Sequence, residues 1–188
     1  MLTARERAGR FFTRFDGVFI YLDDDQDLKK NASRLAQRAA QGDLEAVELM
    51  LDAGADLNPD ALYLAAVESR ADIASVLADV MGDLDVNVGE LGTALCAALC
   101  NENGHTTLRV LLERGSSVNW QGGRYGCALQ AAVANYRLDN VRLLLRHSAD
   151  ADAQCGHYGN ALTAAARHRT HFEEMAGLLL EYGADIDA

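Results

Sequence analysis

The sequence predicts an all-α solenoid of about five helix-turn-helix repeats joined by short β-hairpin loops, which we call fingers. Three observations predict it. Similar segments recur roughly every 33 residues, each carries leucines at helical spacing, and the 188 residues contain one proline. A fixed period of about 20–50 residues is typical of repeat architectures. A chain almost free of proline permits helices nearly everywhere.

The period is clearest in three segments that share an opening and an ending. They open with Gly92-Thr-Ala-Leu95, Gly126-Cys-Ala-Leu129 and Gly159-Asn-Ala-Leu162, and each ends in a leucine-rich run before a polar loop. Two weaker copies precede them, anchored at Leu35 and Leu62. Successive anchor leucines are 27, 33, 34 and 33 residues apart. One helix pair cannot bury its apolar face alone, so stacked neighbours must bury it.

This pattern resembles the ankyrin repeat, whose period is about 33 residues and whose opening is Thr-Pro-Leu-His-x-Ala. Here Thr-Ala-Leu-Cys, Cys-Ala-Leu-Gln and Asn-Ala-Leu-Thr replace that opening. The forms Tyr125-Gly126-Cys-Ala-Leu and Tyr158-Gly159-Asn-Ala-Leu look like those common in fungal ankyrin proteins. The resemblance covers residues 31–188 and implies repeats at about 31–60, 61–88, 89–121, 122–154 and 155–188.

Local signals predict where helices end and where one finger is missing. Gly54, Gly115 and Gly183 stand where a helix ends in a left-handed residue. The short first spacing removes the residues of one finger, and Asn58-Pro59 fits an N-cap followed by proline at the first helical position. We therefore expect fingers at residues 86–92, 119–126 and 152–159 only. Extra residues near 101–105 and 167–172 fall in turns between helices.

Residues 1–30 are not a repeat. Apolar residues recur there at helical spacing between arginines and an acidic run: Phe11, Phe12, Phe15, Val18, Phe19 and Leu22. We expect a helix that caps the first repeat, since the exposed end of a solenoid needs covering. An amphipathic anchor for a membrane surface or a partner helix is the alternative, and the acidic residues Asp23–Asp27 weigh against anionic lipid.

Composition limits the partners and the compartment. Seventeen basic against 28 acidic residues give a formal net charge of -11. Nucleic acid is therefore an unfavourable partner, and a neutral or basic protein surface is favoured. The N-terminus lacks an apolar signal-peptide core, and no uncharged stretch is long enough to span a bilayer. We expect an intracellular, cytoplasmic protein, with the nucleus left open.

The four cysteines are Cys96, Cys100, Cys127 and Cys155. We interpret them as small buried apolar side chains in a reducing compartment. A zinc site needs a tetrahedral ligand set, which only a cluster of Cys155, His157 and His168 could approach. We expect no metal site and no cofactor.

The ankyrin resemblance implies a ligand surface on the concave face, formed by finger tips and the exposed sides of first helices. The residues that it places there are Glu90, Trp120, Gln121, Arg124, Tyr125, Asn101, Asn135, His157, Tyr158, Arg167 and His168. Tryptophan and arginine are common binding hot spots. The alternative for Trp120 is packing on a neighbouring finger, and for the repeated Tyr125 and Tyr158 it is filling the finger base.

These residues predict a protein-binding scaffold that catalyses no reaction. The alternative is a small-molecule enzyme (a cyclase, isomerase or hydrolase) with Tyr125, His157, Tyr158 and His168 in one pocket for acid–base work. A purely structural spacer within a larger protein is a third interpretation. No polar cap follows the last repeat, which leaves open either a fragment of a longer array or a homo-oligomer formed through that repeat.

Overall fold

The computed structural model describes residues 14–15, 18–19, 34–167 and 172–187. Its helices are α1 (34–41), α2 (Leu44–Asp52), α3 (Pro59–Val67), α4 (Ala71–Val80), α5 (Ala94–Ala98), α6 (His105–Glu113), α7 (Ala128–Ala134), α8 (Leu138–Arg146), α9 (Ala161–Ala165) and α10 (Phe172–Glu181). Its strands are β1 (Arg14–Phe15), β2 (Val18–Phe19), β3 (Gln121–Gly122) and β4 (Gly126–Cys127).

The helices form consecutive pairs that stack side by side. Each first helix packs against the next first helix, as α3 does on α5 and α7 on α9. Second helices pack likewise, as α2 does on α4, α4 on α6 and α6 on α8. The predicted all-α solenoid with short hairpin fingers is confirmed. In the described part of the chain, each helix pair packs against the neighbouring pairs in the stack.

Alanine and leucine divide the core between the two helical layers. The first helices contribute pairs of buried alanines, among them Ala65-Ala66, Ala97-Ala98 and Ala131-Ala132. The second helices contribute leucines with no exposed surface, namely Leu77, Leu111, Leu144 and Leu179. Small side chains let the first helices approach closely, and the leucines fill the space behind them. Truncating one such buried leucine to alanine typically costs about 2–5 kcal/mol.

The glycines that the sequence places after second helices adopt the left-handed conformation. Gly54, Gly115 and Gly183 have φ of 79°, 92° and 89°. The fourth repeat uses Ser148 at the same position, with φ of 65°. A non-glycine residue there carries a steric cost from its Cβ. Sequence reasoning did not anticipate this substitution, because serine carries no signal for a left-handed turn.

Polar side chains bridge consecutive loops on the finger side. Both carboxylate oxygens of Asp85 accept from the Ser117 backbone N–H, at 2.9 and 3.0 Å. Asn119 accepts from the Asp150 N–H at 2.8 Å and donates to the Ser148 carbonyl at 3.0 Å. Asp152 accepts from the Asp185 N–H at 2.7 Å. We call this series the loop ladder, since one side chain from each of the second, third and fourth repeats accepts a hydrogen bond from the backbone of the repeat that follows.

The chain enters α3 without a preceding finger. The Asn58 side chain accepts from the Asp60 N–H at 2.9 Å, and Pro59 occupies the first turn of the helix. These are the roles that the Asn58-Pro59 pair predicts.

The predicted N-terminal helix is wrong for the four residues of that segment that the structure describes. Strands β1 and β2 pair antiparallel there, with Arg14 opposite Phe19 and Phe15 opposite Val18. Asp16-Gly17 lies between them in the sequence, and that dipeptide favours a two-residue hairpin. This local signal competes with the helical spacing of the phenylalanines. The rest of residues 1–30 lies outside the described part, so the capping role stays a prediction.

Candidate binding surface

Three fingers project from the loops between repeats. In the first finger (86–92) the Val88 N–H donates to the Gly92 carbonyl at 2.9 Å. The second finger (119–127) contains the antiparallel pair β3–β4. In the third finger (152–159) the Cys155 N–H donates to the Gly159 carbonyl at 2.8 Å. These are the finger positions that the sequence predicts.

The first and second fingers pack backbone to backbone. The Arg124 N–H donates to the Glu90 carbonyl at 2.7 Å. A Cβ added to Gly123 would lie 2.5 Å from the Leu91 carbonyl oxygen. Any side chain at position 123 would therefore push these two fingers apart. The side chains of Glu90 and Arg124 are both exposed.

The second and third fingers are closer still. A Cβ added to Gly126 would lie 2.0 Å from the Gly156 nitrogen, so only glycine fits there. Next to this contact the structure joins Cys127 and Cys155 as a disulfide, with their Cα atoms 6.1 Å apart. Both side chains are buried, as expected, but their pairing was missed. Spacing in sequence could not reveal it, since the fold brings the two fingers together.

Trp120 packs on glycines instead of standing free at a finger tip. A Cβ on Gly122 would lie 2.3 Å from its indole ring, and one on Gly92 would lie 2.9 Å from it. The indole therefore covers its own finger and the neighbouring one, which was the alternative interpretation of this residue. It remains partly exposed, and no described residue accepts a hydrogen bond from its indole N–H. Trp120 combines a packing role with a free donor.

Aromatic and cationic side chains meet on the third finger. The His157 ring lies edge-on to Tyr158 with centroids 5.5 Å apart, and the Arg167 guanidinium lies 5.0 Å from the Tyr158 ring centroid. His157 and Arg167 are exposed, while Tyr158 packs partly against the core. Tyr125, its counterpart on the second finger, packs in the same way. The structure thus unites three of the predicted residues in one surface cluster.

Two of the predicted polar residues are engaged with the backbone. Asn135 donates to the Ala131 carbonyl at 2.9 Å, and Asn101 donates to the Val67 carbonyl at 2.8 Å. The Val67 carbonyl lies at the end of α3, where carbonyls lack helical partners, whereas the Ala131 carbonyl also accepts from the Asn135 backbone N–H at 3.1 Å. Gln121 is exposed on β3. His168 lies outside the described residues, so its proposed role stays a prediction.

Two free thiols lie at the end of α5. Burial raises the pKa of Cys96 to about 11, against weaker opposing hydrogen bonds from Thr93. Burial also raises the pKa of Cys100, and the positive charge of Arg124 acts in the opposite direction. Both thiols are protonated at neutral pH.

Gln130 is a core residue that the site prediction did not include. It is almost fully buried on α7, and its side-chain amide donates to the Gly159 carbonyl of the third finger. The residue follows the anchor Leu129, where the ankyrin opening has histidine. That position is the sequence signal that could have revealed its role in fixing the finger.

A cavity of ≈ 320 Å³ lies between the N-terminal ends of α6 and α8. Its lining includes His105, Tyr136 and Arg137. His105 Nδ1 lies 2.7 Å from the buried Asn140 Oδ1, and its Nε2 lies 3.1 Å from Arg109. These contacts give His105 a structural role between α6 and α8. Among the described residues, no group of three His, Cys, Asp or Glu side chains is placed to hold a metal ion. None of the described helices is long and apolar enough to cross a membrane.

The fold and its fingers define a class: an all-α solenoid of stacked helix pairs. The family model for ankyrin repeats, in three copies, matches residues 35–122. Residues 35–122 therefore belong to the ankyrin-repeat family, and α7 to α10 continue the same stack beyond them. No curated protein matches the chain. Ankyrin repeats generally mediate protein–protein interaction.

Proposed function

We propose that this protein is a binding scaffold whose second and third fingers form the contact surface for a protein partner. The observation that carries the proposal is the packing of the three fingers into one continuous surface with exposed polar side chains. The backbone contacts at Gly123 and Gly126 hold the fingers in register. A rigid surface binds without the entropy cost of ordering loops.

The chemistry of this surface suits polar and aromatic contacts. The second finger carries the indole N–H of Trp120 and the exposed Arg124, and His157 and Tyr158 of the third finger form a cluster with Arg167. Tryptophan, tyrosine and arginine are enriched among residues that dominate binding energy. The overall charge of -11 favours a partner that is neutral or basic at its contact surface.

The enzyme alternative requires Tyr125, His157, Tyr158 and His168 to share a pocket. The cavities of ≈ 320 and ≈ 500 Å³ among the described residues are lined by other side chains. His157 and Tyr158 pack against each other at the surface instead. This arrangement favours contact with a partner over an enclosed reaction site.

The C-terminal repeat supports a second proposal, self-association. Leu112 and Leu145 occupy equivalent positions on α6 and α8 and are 6% and 5% exposed. Leu180, their counterpart on α10, is 44% exposed, and Ile186 beyond it is 77% exposed. No described repeat covers this end. We propose that a second copy covers it, which makes the protein a homo-oligomer.

The finger surface is tested by affinity capture with matched charge reversals. Arg124→Glu reverses an exposed charge on the second finger, and Arg142→Glu makes the same change on an exposed residue of α8. Partners identified by quantitative mass spectrometry should be depleted at least about tenfold by Arg124→Glu, which corresponds to roughly 1.4 kcal/mol, and retained by Arg142→Glu. Binding of each purified partner is then titrated. Equal capture by both variants contradicts the proposed surface.

A further inference from the structure

A cavity lies where the solenoid lacks a finger. It has a volume of ≈ 500 Å³ and lies between α1, α3 and the first finger. Its apolar wall consists of Ala36 and Ala40 on α1, Leu64 on α3, and Val88 on the first finger. The chain reaches α3 directly through Asn58, so no finger precedes the helix on this side. The cavity follows from the six missing residues of the first spacing.

Two polar groups of this cavity lie on one face of α3, and a third, the Gln37 amide, comes from α1. Asp60 and Tyr63 are three residues apart in the helix, and such residues are neighbours on its surface. The Tyr63 hydroxyl lies against the first finger, since a Cβ on Gly89 would be 3.1 Å from it. Asp60 is the only charged residue lining the cavity within the part of the chain that the structure describes.

The Asp60 carboxylate can accept further hydrogen bonds from a ligand. Its Oδ2 accepts from the Asn58 side chain at 2.8 Å, and no other described side chain donates to the carboxylate. The residue is exposed. A single carboxylate beside an aromatic ring and an aliphatic wall matches one kind of protein side chain: a long apolar stem with a cationic end.

We propose that this cavity binds an arginine side chain of a partner polypeptide. The apolar wall receives the methylene stem, the guanidinium stacks on the Tyr63 ring, and the Asp60 carboxylate accepts its hydrogen bonds. Planar guanidinium groups both stack on aromatic faces and pair with carboxylates, whereas the ammonium of lysine is a compact and strongly hydrated charge. The site lies on the first two repeats, so it does not depend on the proposed finger surface.

The probe is N-acetyl-arginine methylamide, titrated into the ¹⁵N-labelled full chain and followed by two-dimensional NMR. We expect saturable shifts at the amides of residues 60–64 and at Val88, with a dissociation constant on the order of millimolar for a single side chain. The lysine analogue should bind more weakly. The norleucine analogue, which keeps the stem and lacks the charge, should produce no saturable shift.

Two aspartates provide matched variants. Asp60→Asn keeps an oxygen for the Asn58 amide and removes the charge, and it should weaken arginine binding at least about fivefold. Asp72→Asn makes the same change in the first turn of α4, outside the cavity, and should leave binding unchanged. Both spectra should stay well dispersed. Tyr63→Leu should weaken the arginine probe more than the lysine probe, because only guanidinium stacks.

The inference would be overturned by norleucine binding as tightly as arginine, by equal affinities for Asp60→Asn and Asp72→Asn, or by saturable shifts that cluster away from α3. Absence of any saturable shift would overturn it as well. Loss of finger-dependent capture in Arg124→Glu bears only on the proposed function, so the two hypotheses fail separately.

Discussion

Ser148 occupies the position at which three other repeats place glycine, and its φ of 65° puts a Cβ in the left-handed region. Its side chain makes no hydrogen bond in the described structure, and its carbonyl accepts from Asn119 whatever the side chain. The residue therefore carries backbone strain without a compensating side-chain contact. Such single positions determine how firmly each second helix ends.

We predict that Ser148→Gly raises the free energy of unfolding by about 0.5–1 kcal/mol, because relief of the left-handed strain exceeds the added entropy of the unfolded chain. The reverse change, Gly115→Ala, should lower it by about 1 kcal/mol. No atom would crowd that Cβ, since nothing lies within 4 Å of it. Urea denaturation of both variants measures the effects. A destabilised Ser148→Gly would show that the strain assignment is wrong.

The two free thiols should differ in reactivity. The raised pKa of both leaves little thiolate, which is the reactive form. Because Cys96 is the more deeply buried, with a pKa of about 11, we predict that iodoacetamide at pH 8.5 modifies Cys100 first. Cys96 should react only as the protein unfolds. Peptide mass spectrometry over time measures both sites, and Cys100→Ser should abolish the early modification. Faster alkylation of Cys96 would contradict its burial.

At the scale of elements, the loop ladder links each repeat to the next. Asn119 is its only member that both donates and accepts, so it bridges the third and fourth repeats with two hydrogen bonds. Each bond of this kind contributes about 0.5–1.5 kcal/mol, less where water competes. Coupling between repeats therefore depends on side chains in loops as well as on the buried helices.

We predict that Asn119→Ala lowers the free energy of unfolding by about 1–2 kcal/mol. Asn119→Asp should lower the free energy of unfolding by a smaller amount, because a carboxylate still accepts from the Asp150 N–H. It loses only the bond that Asn119 donates to the Ser148 carbonyl. Asn103→Ala is the control, since that exposed side chain makes no hydrogen bond in the described structure. In thermal and urea unfolding, the free energy of unfolding of Asn103→Ala should lie within about 0.5 kcal/mol of the wild-type value. Equal costs at both positions would argue against the ladder.

The elements themselves were largely predictable. Signals within a few residues predict the helices, their terminal glycines and the missing first finger. The N-cap Asn58 followed by Pro59 at the start of α3 is one such signal. The N-terminal segment shows the limit. Helical spacing of phenylalanines predicted a helix, while β1 and β2 form a strand pair at the described positions. Apolar spacing over so few residues does not separate the two structures.

At the scale of the whole molecule, each repeat is stabilised by its neighbours, so the last described repeat is the least covered. Leu145 on α8 is 5% exposed, whereas its counterpart Leu180 on α10, which no described repeat follows, is 44% exposed. The exposed leucine is the basis of the proposed self-association. A stack of this kind either accepts another helix pair at its end or leaves apolar surface in water.

We predict that light scattering coupled to size exclusion gives a concentration-dependent mass above 20.3 kDa for the wild type. Leu180→Glu should return the mass to the monomer, because a charge at the covered end is costly to bury. Leu49→Glu is the matched control. That leucine is 37% exposed on α2, away from the last repeat. A wild-type monomer at every concentration would exclude self-association through this end.

The sequence by itself determined the repeat period, the pairing of helices and the positions of the fingers. These features depend on signals within one repeat: apolar spacing, a terminal glycine, an N-cap before proline. Residues of candidate binding type could be placed on fingers for the same reason, as Arg124 and His157 were.

Only the tertiary structure decided what the finger residues touch. Trp120 packs on Gly92 of another finger, Cys127 joins Cys155, and Tyr63 faces α1 across a cavity. Each pairing links residues roughly 23 to 30 positions apart in different repeats. Such contacts depend on how closely two backbones approach, and the distance between stacked repeats is set by the whole interface, which no single repeat encodes.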